Sequence, residues 1–429
     1  MEKVTDDHIV VTGFGAITPL GSNSRETWNA VLSGQCGICP PAGMKADETP
    51  CLRSALVEDL RASDLGIGRK DARFMRKSGL MLLKASQDAF LDARLDELPV
   101  PAEQTGFFAG TGAVDAGEQD LLPALPGSLD PQGELSHTRF FADAYRAIHP
   151  LWPLSILNNI AFCQTAIRLN VRGENAVFSP YNDAGAQAVL EGVRTLRQER
   201  ARAVVVSGVS EAATPFSMAR ATNSGLPIAA GASRDAPCRP FSNRASGTVL
   251  GEGAGALVLE RRTHALMRGV GFHARISGYG DACIPDSEGC GPTVEAVRRS
   301  MEAALVSARR NFEDMDVLIA HGDGTEADHN EIAALNALFD RSQKGPRVFY
   351  PKAALGNLLA GAPLVDAVLA MFMISEGRIP HTLNVDAAGS RIHLPVVRGC
   401  PLEASVKRIM INSRGPGGQT ASLILEGCK

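Results

Sequence analysis

The chain has no block of like charge. Its 43 lysines and arginines and 47 aspartates and glutamates give a formal net charge of −4 over 429 residues. Without a basic stretch, the sequence carries no footprint for nucleic acid or for an anionic membrane surface. It also lacks an unbroken apolar run of about 18 residues, so no membrane span is expected. The N-terminal "MEKVTDDHIVVTG" starts acidic and has neither a basic nor an apolar leader region, so no signal peptide is expected. Nine cysteines are scattered, and only Cys36 and Cys39 have C-x-x-C spacing. No second pair and no histidine cluster completes a zinc site, so neither a metal nor another cofactor is expected, and the thiols read as reduced groups of a cytoplasmic protein. No G-x-G-x-x-G opens a helix; the glycines at 13, 15, 251, 253 and 255 read as turns and close-packing positions rather than a phosphate cradle. No linker, low-complexity tract or short repeat is visible, so the chain should pack as one body.

What is present is an alternation of apolar, β-rich runs with helical patterns. The 45% hydrophobic and 21% charged composition is that of a soluble globular protein. The length suits two or three domains, or two tightly fused halves. "HIVVTGFGAITPLGS" is a buried strand broken by glycines. "SRETWNAVLSG" reads as a helix with Ser24 as its N-cap and Gly34 as its stop. "SGLMLLKASQDAFLDA" is an amphipathic helix, "TGFFAGTGA" a strand, and "ARAVVVSGVSEA" and "GEGAGALVLERR" further strands. After about residue 265 the rhythm restarts, with a helix over "SEGCGPTVEAVRRSMEAALVSA", a strand in "MDVLIAHGDGT" and a helix in "NEIAALNALF". "PLVDAVLAMFMISEG" is apolar almost all round and should be a buried helix between two sheets. The pattern predicts an α/β protein with mostly parallel central strands.

Six ordered segments carry a resemblance. They are "VVTGFGAITPLGS", "GENAVFSPYNDAGAQAV", "PFSNRASGTVLGEGAGALVLE", "IAHGDGTEADHNE", "PKAALGNLLAGAPLVDA" and "NSRGPGGQTASLIL". Together they resemble the β-ketoacyl-acyl carrier protein synthases, or ketosynthases, of the thiolase superfamily, over nearly the whole chain. The resemblance implies a thiolase-like fold of two similar halves in α-β-α-β-α layers, divided as 1–265 and 266–429. It also implies a Cys-His-His site. There a cysteine at a helix N-terminus takes an acyl chain from acyl carrier protein. Two histidines hold a malonyl thioester carbonyl, and two backbone N–H groups stabilise the oxyanion.

Carried over residue by residue, this machinery is broken. The cysteine position is Asn182, whose amide is no nucleophile at neutral pH, and Cys163 falls in the preceding helix. The first histidine is His321. The family lysine is Lys352, with Asp366 at the place of its acidic partner. The second histidine position is Asn357. The glycine turn reads Arg414, Gly415, Pro416, Gly417. Pro416 stands where a phenylalanine N–H would serve the oxyanion, and proline has none. Arg414 replaces an apolar residue. Ser242 and Ser246 stand where aspartates flank Arg244 in the family.

Three readings follow from the resemblance. One is a non-catalytic partner similar to a chain length factor of type II polyketide systems. Such a subunit heterodimerises with an active ketosynthase through a central strand and shapes the acyl tunnel, with acyl carrier protein as a further partner. A second is an altered enzyme, such as a malonyl-carrier decarboxylase using His321 and Asn182. A third is a binding or regulatory module. At single residues, His321 reads either as a functional group or as a hydrogen-bonded core residue. Lys352 reads as a retained site residue or as an ion pair with Asp366 or Asp328. Asn182 reads as drift at an abandoned site, or as a helix cap that fills the vacated pocket.

Overall fold

The computed structural model describes residues 8–428 apart from 41–52, 59, 73–74, 115–117, 230–236, 288–290, 340–344 and 386–391. Cys51 and Cys290 lie outside the described residues. Ten strands form one hydrogen-bonded sheet: β1 (Ile9–Ile17), β2 (Thr105–Thr111), β3 (Asn175–Phe178), β4 (Ala203–Glu211), β5 (Glu252–Arg261), β6 (Ala274–Cys283), β7 (Val317–Ile319), β8 (Arg347–Phe349), β9 (Arg408–Arg414) and β10 (Gln419–Gly427). Read outward from the middle, one half runs β1-β5-β4-β2-β3 and the other β6-β10-β9-β7-β8. The two orders are the same. In each, the three outermost strands are parallel and the last strand of the half is antiparallel to both its neighbours.

The halves meet where Ile9–Val11 pair antiparallel with Ala274–Ile276. The sequence suggested two separate sheets; this short contact makes the ladder continuous. The principal helices are α1 (Ser24–Leu32), α2 (Lys77–Asp92), α3 (Asn158–Leu169), α4 (Asn182–Arg197), α5 (Val294–Ala308), α6 (Asp328–Leu338) and α7 (Ala362–Glu376). α4 and α7 touch each other and strands of both halves, so they form the middle layer. α2 and α3 cover the outer face of the first half, α5 and α6 that of the second.

The first strand of each half uses the same device to hold its outer helix. A Cβ on Gly13 or Gly15 would lie 2.2 Å from the carbonyl oxygen of Ala89 or Ala85 of α2, and one on Gly278 or Gly280 within 2.3 Å of the Ala304 or Ser300 oxygen of α5. "TGFG" at 12–15 and "SGYG" at 277–280 therefore occupy equivalent places, an internal echo too short to stand out as a sequence repeat. Gly13 and Gly15 serve close packing, not a turn.

Every residue of α7 from Ala362 to Met373 is buried, as its all-round apolarity predicts. The stretch Leu359–Glu376 reaches the length and mean hydropathy of a membrane span, although Asp366 and Glu376 interrupt its apolar run. It is 83% buried inside the protein, so packing between the two halves accounts for its composition. Another correction concerns α1, whose N-cap is Asn23 and not Ser24. The Asn23 side chain is set one residue earlier on extended backbone and accepts the Glu26 N–H at 2.9 Å. Ser33 is the C-cap, and Gly34 follows it in the left-handed region at φ 75°.

Candidate active site

The site lies at the carboxyl ends of the parallel strands, where β3, β7, β8 and β9 deliver their following residues to the middle layer. β3 leads through a turn into α4, whose first residue is Asn182. Tyr181 on extended backbone is the N-cap, so Asn182 lies just inside the helix and makes no capping bond. This corrects the capping expectation. Asn182 is buried, and its Nδ2 donates to Asn357 Oδ1 at 2.9 Å. Asn357 Nδ2 donates to Thr248 Oγ1 at 3.3 Å, and its Oδ1 also accepts the Leu359 N–H at 3.1 Å. The two residues at the nucleophile and second-histidine positions are thus each other's partners.

His321 follows β7 and is buried. Its Nδ1 accepts the Arg414 backbone N–H at 3.2 Å, which places the ring proton on Nε2. Nε2 donates to Asp323 Oδ2 at 3.3 Å. Burial, with Lys352 beside it, holds the imidazole down to about 3 against the pull of Asp323, so the ring is neutral. Burial opposes the charge on Asp323, but Arg414 and the His321 hydrogen bond prevail and hold its carboxyl well below the usual range. Burial pushes the Asp328 carboxyl up, against the pull of Arg414. Asp328 nonetheless organises the loop by accepting the backbone N–H groups of Phe241, Asp323 and Gly324 at 2.9–3.0 Å.

Lys352 Nζ donates to the His321 carbonyl oxygen at 2.6 Å. Neither Asp366 nor Asp328 lies within ion-pair distance of it among the described residues, so the ion-pair expectation gives way to a backbone hydrogen bond. Asp366 is buried on α7, and burial pushes its carboxyl up to about 7 even though Lys352 opposes the shift.

Gly415, Pro416 and Asn182 line a cavity of about 20 Å³ with Asp323, Arg414 and Pro227. That is room for about one water molecule. Outside it lies a vestibule of about 500 Å³ bordered by Ser242, Ser246, Thr325 and His329. The two spaces share Pro227, Thr325 and Ala327 as a wall. Gly417 continues the turn beside the Gln419 side chain.

All nine candidate residues sit in this one region except Asp366, which lies behind it on α7. Sequence reasoning passed over Asp323 and Thr248. Asp323, a charged residue in the turn after His321, was visible in "HGDGT"; its pairing with Arg414, 91 positions away, was not. Cys36 and Cys39 are free thiols away from this site, and burial pushes the Cys39 thiol up, away from a ligand-ready thiolate.

Comparison with known proteins agrees with the architecture. Residues 6–265 match the family described as Beta-ketoacyl synthase, N-terminal domain, and residues 273–386 match Beta-ketoacyl synthase, C-terminal domain. The chain is 29% identical over 437 residues to 3-oxoacyl-[acyl-carrier-protein] synthase 2 of Synechocystis sp., covering 99% of each. Among solved structures it is similar to the ishigamide ketosynthase/chain length factor, at 26% identity and a TM-score of 0.84, covering 99% of this chain and 100% of that one. It shares its fold, at 22% identity and a TM-score of 0.84 over 98% of this chain and 99% of that one, with a chain of a type II polyketide synthase acyl-carrier protein in complex with its ketosynthase. With the strand order of two thiolase-like halves and family matches over most of its length, the chain belongs to the β-ketoacyl synthase family.

Proposed function

We propose that this protein is a non-catalytic ketosynthase-like subunit, of the chain length factor kind. In this reading it heterodimerises with an active ketosynthase and shapes the acyl tunnel during polyketide or polyene elongation on acyl carrier protein. The observation that carries the proposal is the Asn182–Asn357 hydrogen bond. It joins the two positions where a condensing enzyme needs a nucleophile and a carbonyl donor, and it leaves both without a free reactive group. Pro416 removes a backbone N–H from the adjoining turn, and the remaining cavity of about 20 Å³ holds no acyl group. The donation of His321 Nε2 to Asp323 weighs against a malonyl-carrier decarboxylase, which needs that proton for the thioester carbonyl.

The surface supports a partner. Nine of the fourteen exposed large apolar side chains among the described residues fall between positions 122 and 167, including Leu135, Phe141, Tyr145, Leu151 and Ile167. They precede β3, the end strand of the sheet, whose outer edge has no neighbour among the described strands. A segment so rich in exposed apolar side chains, leading to an open strand edge, suits a protein interface. The solved ketosynthase/chain length factor and the ketosynthase bound to its acyl-carrier protein supply the partner classes by similarity.

The test is affinity purification of the tagged chain from its own cells, with intact mass measurement of what accompanies it. The expected result is a stoichiometric companion of similar mass whose cysteine is modified by an acyl-enzyme inhibitor. A homodimer that condenses acyl and malonyl carriers unaided overturns the proposal.

A further inference from the structure

Arg414, the last residue of β9, keeps its side chain inside the protein, 4% exposed. Its Nη2 lies 2.8 Å from Asp323 Oδ1 and also pairs with Asp328, while Nε is 3.7 Å from Glu331 Oε2. Asp323 is equally engaged. Its Oδ1 accepts the Thr325 N–H at 3.1 Å and the Thr325 hydroxyl at 2.7 Å, and its Oδ2 accepts from His321 Nε2 at 3.3 Å. The Arg414 backbone N–H fills the other ring nitrogen of His321. Both nitrogens of the retained histidine are therefore consumed by two residues of the chain itself. The same two residues border the small cavity next to Asn182 and Pro416.

We propose that Asp323 and Arg414 form an internal plug: the Asp323 carboxylate stands at His321 Nε2 where a ligand carbonyl would otherwise be received, and the Arg414 guanidinium neutralises it and closes the space in front of Asn182. The plug deepens the non-catalytic reading and rests on it for its purpose, but it is a property of the isolated chain and is tested without a partner.

The two residues depend on each other unequally. Three buried carboxylates, Asp323, Asp328 and Glu331, face the single guanidinium of Arg414. Removing Arg414 leaves Asp323 as a buried charge with no cation in hydrogen-bond reach, which is strongly unfavourable. Removing Asp323 leaves Arg414 paired with Asp328 and near Glu331. Asp328 and Glu331 keep their backbone donors in either case: Phe241, Asp323 and Gly324 for the first, His321 and Gly322 for the second. Loss of Arg414 should therefore be the more damaging, and the damage should be relieved when Asp323 is neutralised at the same time.

The experiment is a double-mutant cycle of Asp323→Thr and Arg414→Leu on the purified chain, read by denaturant unfolding. The effects should fall short of additivity by at least about tenfold in the folding equilibrium, the range expected for directly coupled groups. Additive effects overturn the pair as a unit. Should Arg414→Leu fail to fold, Asp323→Thr alone decides the question, because its arginine keeps a partner. The probe is malonyl-pantetheine, followed through the His321 imidazole resonances. Asp323→Thr should bind it at least about tenfold more tightly than the unmodified chain and shift those resonances. Equal binding by the two proteins, or resonances that do not move, overturns the plug. Either failure leaves the heterodimer untouched, and absence of a partner leaves the plug untouched, so the two ideas fall separately.

Discussion

Replacing Asn182 by cysteine should not restore condensation, and the structure says by how much it falls short. The substitution puts a thiol at the first turn of α4, where the helix N-terminus favours thiolate. It removes the Asn182–Asn357 hydrogen bond, a loss of about 1 kcal/mol. Asn357 keeps its bonds to Thr248 and Leu359, so the fold should survive. Three obstacles remain. Pro416 offers no N–H to an oxyanion, a deficit of about 10² to 10³ in rate. Asn357 supplies no imidazole, and general acid–base groups contribute about 10² to 10⁴. His321 Nε2 is held by Asp323 in a space with room for about one water. Even allowing for strong non-additivity, the first two alone put Asn182→Cys about 10⁴-fold or more below an intact ketosynthase. The assay is conversion of acyl and malonyl carriers by the isolated variant, with intact mass spectrometry for both acyl-enzyme and elongated product. Turnover within about 100-fold of a working ketosynthase, whose kcat lies in the ordinary range of about 1 to 10³ per second, would refute the reasoning. The triple variant Asn182→Cys, Asn357→His, Pro416→Phe separates chemistry from space. If it too stays unacylated, closure of the pocket is the dominant block.

Other outcomes follow from the same coordinates. Asp366 has its folded pKa raised from 3.8 to about 7, so the native state holds a proton that the unfolded chain releases. Its contribution is fully present below about pH 4 and is lost as pH rises through 7. Asp366→Asn should therefore gain stability relative to the parent between pH 4 and 8, by up to about 4 kcal/mol at 1.36 kcal/mol per unit; a difference constant across that range in urea melts contradicts the buried, protonated carboxyl. A Cβ on Gly208 would sit 2.2 Å from the Ala360 oxygen, so Gly208→Ala should destabilise by about 1–3 kcal/mol through overpacking, read as a fall in the denaturation midpoint. Phe141→Ser combined with Leu151→Ser changes two well-exposed side chains, so it should leave the monomer's unfolding curve within about 0.5 kcal/mol while weakening capture of the partner ketosynthase; undiminished capture removes the 122–167 face from the interface.

Much of this arrangement was legible in the chain. Apolar periodicity located α2, α5 and α7 and the long strands, because each pattern reports one residue's burial against its near neighbours. The motif positions of Asn182, His321, Lys352 and Asn357 were also readable, since they sit in short segments of fixed spacing. What could not be read were the partners. Asn182 and Asn357 are 175 positions apart, Arg414 and Asp323 91 apart. Arg414 stood out as a charge in an apolar turn, but nothing local tells whether such a charge faces solvent, a ligand or a buried carboxylate. One of the two readings of Lys352 makes it half of an ion pair, because lysine and aspartate attract in sequence reasoning, whereas its actual acceptor, a backbone carbonyl, is invisible there. The short β1–β6 contact escaped for a related reason: its pairing is set by the packing of two halves, not by any alternation along the strand.

Those long-range partners bear on whether the site decayed or was rebuilt. An abandoned pocket that drifts should collect buried polar groups without partners, each at a cost of about 1–3 kcal/mol. The substituted positions here do the opposite. Asn182 donates to Asn357, Asn357 donates to Thr248, and Arg414 meets Asp323 and Asp328. The one loose end is Arg414 Nε, which has no hydrogen bond but lies 3.7 Å from the Glu331 carboxylate. Arg414 and Asp323 are the sharper case. Asp323 without Arg414 would be a buried charge with no cation in hydrogen-bond reach, whereas Arg414 would still meet Asp328. Three substituted residues with buried partners, Asn182 and Asn357 in each other and Arg414 in Asp323 and Asp328, fit a site that stays filled better than one that drifts. A subunit whose task is to support a neighbour's tunnel needs a rigid interior more than an empty one, and a filled pocket supplies it.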